Sequence, residues 1–280
     1  MKKGIALGAA VLAVAVVAGV ARADVLLTDP FTAPRNDAGG VVNTNDLNQN
    51  IARQGGTLAP VTYSLAFGPG HYGHQLGNVN AVDELLVADF PQSTSSLNHN
   101  FNGALSQGGL RIAFDLDSLP NVYTGFGSDN WGAVNLGMSQ GAQLVNVNQN
   151  LLHFGILFRD DGRIQAFDGN AVVTPNPEPN YTAAPGGFHH IELMITDADG
   201  NPFDGVGDTS IEAFADGSTT ASFSYTKVGG FADNFINFQG SARAHFDNLV
   251  IEQLPEPGAA GVLAFVSLAL LRRPRSTRST

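Results

Sequence analysis

The chain has 280 residues, no cysteine, 33 glycines and a formal charge of −11. Without cysteine, no disulfide can staple the fold and no thiolate can serve as nucleophile or metal ligand. Between residues 24 and 254 lie seven basic and 24 acidic side chains, a formal −17, so this body repels nucleic-acid phosphates and anionic membranes.

At the N-terminus, Lys2 and Lys3 precede an uncharged run from Gly4 to Ala21, closed by Ala21-Arg22-Ala23. A basic end, an apolar core and small residues at Ala21 and Ala23 describe a secretory signal cut after Ala23. The run is nearly long enough to span a bilayer as an uncleaved anchor, but Asp24 and a polar chain follow at once. Residues 1–23 are therefore read as signal peptide and 24–254 as one exported domain.

The body reads as strands nearly throughout. Val61 to Phe67 comes first, followed by a glycine-rich loop in which His71 and His74 flank Tyr72-Gly73. Two histidines at that spacing are compatible with metal, but no third ligand accompanies them. Glu84 to Ala88 is the next strand. Leu110 to Asp117 then alternates cleanly, placing Leu110, Ile112, Phe114 and Leu116 on one face. Trp131 to Met138 opens on the sole tryptophan, after Tyr123 and a loop rich in Asp and Asn. Trp131 and Tyr123 are the candidate sugar-stacking platform, although a lone tryptophan starting a strand is more often core.

Phe154, Ile156 and Phe158 alternate again, and Asp160-Asp161-Gly162 turns the chain into Ile164 to Phe167. Pro175-Asn-Pro-Glu-Pro179 is a stiff surface loop. His189 and His190 are consecutive on a strand that continues through Ile191, Leu193 and Ile195, so their rings face opposite sides and cannot readily chelate one ion. Asp197, Asp199, Asn201, Asp204 and Asp208 crowd the next loop with hard oxygen donors of the kind calcium takes. The loop departs from the EF-hand pattern, because Pro202 stands where glycine is needed and no glutamate closes it. The same residue types also make plain turns. Ile211 to Ala215, Ala221 to Tyr225, Phe235 to Phe238 and Ala242 to Ile251 complete the strands. With no sustained helical spacing, the body is expected to be all-β, a two-sheet antiparallel sandwich.

Several stretches point the same way. Phe188-His-His-Ile-Glu-Leu-Met-Ile195, Ser210-Ile-Glu-Ala-Phe-Ala-Asp-Gly217, Phe246-Asp-Asn-Leu-Val-Ile251 and Asp46 to Tyr63 together resemble concanavalin A-like, laminin-G-like jelly rolls of exported bacterial proteins. That resemblance implies a jelly-roll sandwich. Laminarinase-type glycoside hydrolases share the fold, but their Glu-x-Asp-x-x-Glu strand motif begins at none of Glu84, Glu178, Glu192, Glu212 or Glu252. No Ser-His-Asp order, phosphate-binding loop or zinc motif is present. The body is read as non-enzymatic.

The tail, residues 255–280, is different in kind. Pro255-Glu256-Pro257 precedes fourteen uncharged residues, Gly258 to Leu271, and then Arg272, Arg273, Arg275 and Arg278. This arrangement resembles a PEP-CTERM sorting signal. The resemblance implies recognition by an exosortase, transient residence of the apolar helix in the inner membrane and delivery to the cell surface or extracellular matrix in bacteria that make exopolysaccharide. The parts have physical roles: the prolines keep the motif extended, and the arginines hold the cytoplasmic side. Fourteen helical residues rise about 21 Å, short of the roughly 30 Å hydrocarbon core, a mismatch that a transient anchor tolerates. The function expected is binding of glycan or matrix material, with a secreted glycoside hydrolase or a purely structural matrix protein as alternatives.

Overall fold

Leu110, Ile112, Phe114 and Leu116 are fully buried in the computed structural model, which describes residues 23–31, 54–67, 74–79, 82–87, 93–103, 109–118, 130–139, 153–184, 186–197, 200–231, 233–241 and 244–255. These belong to a compact unit spanning Ala23–Glu256. The described residues form fifteen strands. In chain order they are β1 (Asp24–Asp29), β2 (Tyr63–Phe67), β3 (His74–Val79), β4 (Val82–Val87), β5 (Ser93–Leu97), β6 (Leu110–Asp117), β7 (Trp131–Met138) and β8 (Phe154–Arg159). There follow β9 (Ile164–Asp168), β10 (Ala171–Val172), β11 (His189–Asp197), β12 (Thr209–Ala215), β13 (Phe223–Lys227), β14 (Phe235–Ser241) and β15 (His245–Gln253).

All pairs are antiparallel, and they form two sheets. One has eight strands in the order β13-β12-β11-β6-β15-β4-β3, with β1 also pairing β15. The other has seven, in the order β10-β9-β8-β7-β14-β5-β2. The long crossovers between neighbours are those of a jelly-roll sandwich, so the expected all-β, two-sheet fold is the one observed. The signal segment and the apolar tail lie outside the described residues.

The inner faces meet through aromatic rings. Phe114 on β6 lies 6.2 Å from Phe158 and 6.3 Å from Phe238, both on the opposite sheet, and 5.5 Å from Phe246 on its own. Edge contacts then tie the sheets together. Asp168 at the end of β9 accepts hydrogen bonds from Lys227 Nζ at 2.5 Å and Tyr225 OH at 3.0 Å on β13. Beside it, Phe154 stacks on Tyr225 with centroids 5.4 Å apart. Toward the other edge, the fully buried Asp29 of β1 accepts from Tyr63 OH of β2 at 2.6 Å, from Gln54 Nε2 at 3.1 Å and from the Phe31 amide at 2.9 Å. Burial, with the neighbouring carboxylate next, holds the Tyr63 hydroxyl well above the usual phenol range.

Four strands escaped the pattern reading. β1, β5 and β10 are short, and β5 (Ser-Thr-Ser-Ser-Leu) has almost no apolar alternation. The segment expected as a glycine-rich loop around His74 is instead a strand, since β3 pairs β4 from His74↔Val87 to Val79↔Val82. Pairing supplied by a neighbouring strand outweighs weak local preference. Phe114→Ala is expected to lower unfolding stability by about 3–5 kcal/mol, read from urea titration as a fall in midpoint with little change in slope.

Candidate functional site

The tryptophan expected as a platform is not exposed. Trp131 has 8% of its surface accessible and packs with Ala133, Leu157 and Phe167 in a small cluster. Register explains the placement. Val134 and Leu136 point into the core, so Trp131, Ala133 and Asn135 face the other way, across from Arg159, Leu157 and Gly155 of β8. Asn237 and Gln239 continue that outward face on β14, where Ser96 Oγ donates to Asn237 Oδ1 at 2.7 Å and Asn135 Nδ2 to Gln239 Oε1 at 3.3 Å. Trp131 thus takes the packed placement that the sequence reading set beside the platform. Tyr123 lies outside the described residues.

The expected calcium loop is differently employed. Asp197 is buried and accepts from Thr209 Oγ1 at 3.0 Å, which buckles the two ends of the loop together. A Cβ on Gly207 would stand 2.6 Å from Asp197 Oδ1, at a φ of +79°, so only glycine fits there. Asn201 Oδ1 accepts from the Phe203 amide, and its Nδ2 donates to Asn102 Oδ1 at 2.7 Å. Asp204 accepts from the Val206 amide at 2.8 Å and Asp208 from the Gly229 amide at 3.1 Å. These side chains serve turn amides rather than converging, and among the described residues no group of three or more His, Asp or Glu could hold a metal ion. Asp199 lies outside the described residues.

A polar array that sequence spacing did not isolate lies on the outward face of the eight-stranded sheet. Because β11 pairs β6 with His190↔Asp115, β15 pairs β6 with Glu252↔Arg111, and Glu192 sits two residues along β11, these side chains meet. His190 Nδ1 lies 2.7 Å from Asp115 and Nε2 3.2 Å from Glu192, while Asn248 Nδ2 donates to Asp115 at 2.8 Å. Arg111 bridges Glu192 and Glu252 at 2.8 and 2.7 Å. His189 points inward instead, 2.9 Å from Asp216 and edge-on to Tyr181, so the adjacent histidines do face opposite sides.

Hydrogen bonding from Arg111 outweighs desolvation and lowers the Glu192 pKa, with His190 adding to it. A carboxylate whose folded pKa is depressed stabilises the fold above its unfolded pKa, and that contribution is lost as pH falls through the lower folded value. Glu192→Gln is therefore expected to cost about 1 kcal/mol at neutral pH and nothing in strong acid, flattening the acid limb of a pH-resolved stability curve.

A concave feature of the described surface lies elsewhere, at the free edge of the seven-stranded sheet. The turn Asp160-Asp161-Gly162 sends the chain back along β9 as the sequence indicates. Gly162 has a φ of +86°, and a Cβ there would stand 2.5 Å from the Thr182 carbonyl. After β10 the proline-rich loop leaves the sheet and returns against the start of β9. Ile164 N donates to Pro179 O at 2.8 Å, Tyr181 N to Gly162 O at 2.8 Å, and Arg163 pairs with Asn180. Between loop and edge lies an open cavity of about 600 Å³, within the range of ligand sites.

Its wall combines Val172, Pro175, Asn176, Glu178, Asn180 and Arg163. Val172 is 57% exposed, an apolar patch that no strand covers. Arg163 is held by a fork of carboxylates: Nη2 lies 2.5 Å from Asp161, and Nη1 lies 2.8 Å from Glu178. Burial alone would raise the Asp161 pKa, but hydrogen bonds from Arg163 bring it below the usual carboxylate range. The guanidinium is thereby fixed in place, and the two carboxylates around one cation leave the fork with a local excess of negative charge. Thr174 Oγ1, also in the wall, is buried without a hydrogen-bond partner. Proline rings, an exposed valine, paired amides and a fixed donor–acceptor fork suit a ligand with apolar C–H faces and many hydroxyls. Sequence reading had this segment as a surface loop only, and the run of Pro and Asn was its one visible signal.

No protein-family model and no curated protein matches the chain. Among solved structures, a protein of unknown function with a galectin-like fold from Bacillus subtilis superposes with a TM-score of 0.47 at 8% identity, covering 82% of this chain and 96% of that one. Lectin II from Ulex europaeus superposes at 0.41 with 7% identity, covering 70% and 93%. The carbohydrate recognition domain of Emp46p, in its metal-free form, does so at 0.39 with 12% identity, covering 69% and 85%. Likenesses at this level speak at most to the fold, which the strand pairing establishes without them.

Proposed function

We propose that this chain is an exported, C-terminally sorted protein of the cell surface or extracellular matrix, whose sandwich binds glycan without acting on it. The observation that carries the binding reading is the cavity between the proline-rich loop and β9, where apolar carbon surface, exposed amides and the Arg163 fork stand together. A pyranose ring offers matching chemistry, with C–H faces for Val172 and the prolines and hydroxyls for Asn176, Asn180 and Arg163. The export reading is supported by the Ala21-Arg22-Ala23 junction. The sorting reading is supported by Pro255-Glu256-Pro257, the apolar run and the arginines Arg272 and Arg273, with an exosortase-type enzyme as the processing partner and the inner membrane as a transient one.

The binding test is a glycan array probed with the body, residues 24–254, followed by titration of the hits. Neutral glycans are expected among the hits, and Arg163→Ala and Asn180→Ala are each expected to weaken binding about tenfold, roughly 1.4 kcal/mol, with unchanged melting of the fold. Silence across the array would favour a purely structural matrix protein. Release of reducing ends from a bound glycan, lost on Asp115→Asn, would favour the hydrolase reading, since Asp115 and Glu192 share one imidazole on the outer sheet face.

Sorting is tested separately in a host carrying the processing enzyme. Deleting residues 258–280 is expected to redirect the protein while leaving its circular dichroism and melting unchanged, because no described strand extends beyond Gln253. Unchanged localisation of the truncated chain would remove the sorting reading.

A further inference from the structure

The first and last strands of the body pair with each other. Asp24 sits opposite Gln253, Val25 opposite Glu252, and the register runs on to Asp29↔Leu249. β1 therefore begins at the residue that follows Ala23, with no spacer between the expected signal junction and the ladder. On its other side β1 is held too. The Val25 carbonyl accepts from Thr57 N at 3.0 Å, the Leu26 carbonyl from Leu58 N at 2.8 Å, and Thr28 exchanges two hydrogen bonds with Gly55. Leu26 and Leu27 are 2% and 1% exposed. At the far end, β15 stops at Gln253 and the Leu254 amide still donates to the Gly109 carbonyl at 3.0 Å, leaving no free chain ahead of Pro255.

We infer that the fold imposes an order on processing: the bond between Ala23 and Asp24 is cut before β1 docks. This rests on reading residues 1–23 as a signal. The cut itself is hydrolysis: water adds across the Ala23–Asp24 amide, leaving a carboxylate on Ala23 and an ammonium on Asp24. A peptidase has to hold the chain extended on both sides of that amide. Once Asp24 and Val25 are bonded into a sheet between β15 and residues 55–58, their backbone groups are no longer available to it. Folding ahead of cleavage would seal the junction. The register also sets the Asp24 end of β1 beside the Gln253 end of β15.

The test uses the full chain, folded and reconstituted in phosphatidylethanolamine–phosphatidylglycerol vesicles, with purified bacterial signal peptidase. Beside it runs a variant with about ten Gly and Ser residues inserted between Ala23 and Asp24, a reach that frees the junction from the strand. A third chain, Leu27→Ala, loosens β1 without touching the junction. Products are read by intact mass and N-terminal sequencing. The native chain is expected to be cut at least tenfold more slowly than the spacer variant, with Leu27→Ala between them. Equal cutting of native and spacer chains would overturn the imposed order while leaving the signal reading intact. Failure to cut even the spacer variant after Ala23 would remove the signal reading, and the inference with it.

Discussion

The carboxylate of Asp29 closes the sandwich where its first strand meets the second sheet. It belongs to β1, in the eight-stranded sheet, yet takes its shortest hydrogen bond from Tyr63 of β2, in the seven-stranded one. A buried carboxylate is costly unless donors surround it, and here a phenol, a side-chain amide and a backbone amide do so. Gln54, one of those donors, also accepts from the Val61 amide at 2.8 Å, so the segment leading into β2 is fixed by the same group. β1 can thus stay in place only when both sheets are assembled. With it in place, β15 gains a partner along its second half, β4 having taken the first. The central strand of the larger sheet is complete only when the first residues of the body have come back to meet the last.

That closure uses up most of the surface on which a binding site might have formed. The inner faces are filled by phenylalanine and branched aliphatic side chains. The outward face of the larger sheet is crossed by Arg111 with its glutamates and by His190 with its two carboxylates, flat networks that satisfy one another. In the Asp-rich loop, Asp197 accepts from the Thr209 hydroxyl, Asp204 from the Val206 amide and Asp208 from the Gly229 amide. A concave surface does form among the described residues at the sheet edge at β10, where a two-residue strand gives way to a loop of prolines. Prolines lack amide donors, so such a loop does not extend the ladder. It stands off from β9 and leaves room between.

Electrostatics bears on the ligand as well. The body carries a large negative excess, and Arg163, the cation of the cavity, is already engaged by Asp161 and Glu178. An acidic polysaccharide would meet uncompensated carboxylates there. An uncharged one would meet hydrogen-bond donors and acceptors in fixed directions and little field. The proposed glycan reading is accordingly a reading for neutral sugars.

By itself the sequence determined the architecture of the strands with strong alternation. Leu110 to Leu116, Phe154 to Phe158 and Ile191 to Ile195 each declared their buried face, because a period of two leaves one side of a strand uniformly apolar. The Asp160-Asp161-Gly162 turn was legible for a similar reason, since few residues adopt its backbone. Tertiary structure decided what local pattern does not encode. β1, β3 and β5 are strands because neighbours offer hydrogen bonds, and Trp131, on the outer face of its sheet, is buried because the register of β7 sets it beside Leu157 and Phe167. The array around His190 and the cavity around Arg163 are assembled from residues on different strands and loops, such as Asp115 with His190 or Asp161 with Glu178. Which of them meet is set by strand order and register, and these depend on pairing energies summed over both sheets rather than on any single stretch of chain.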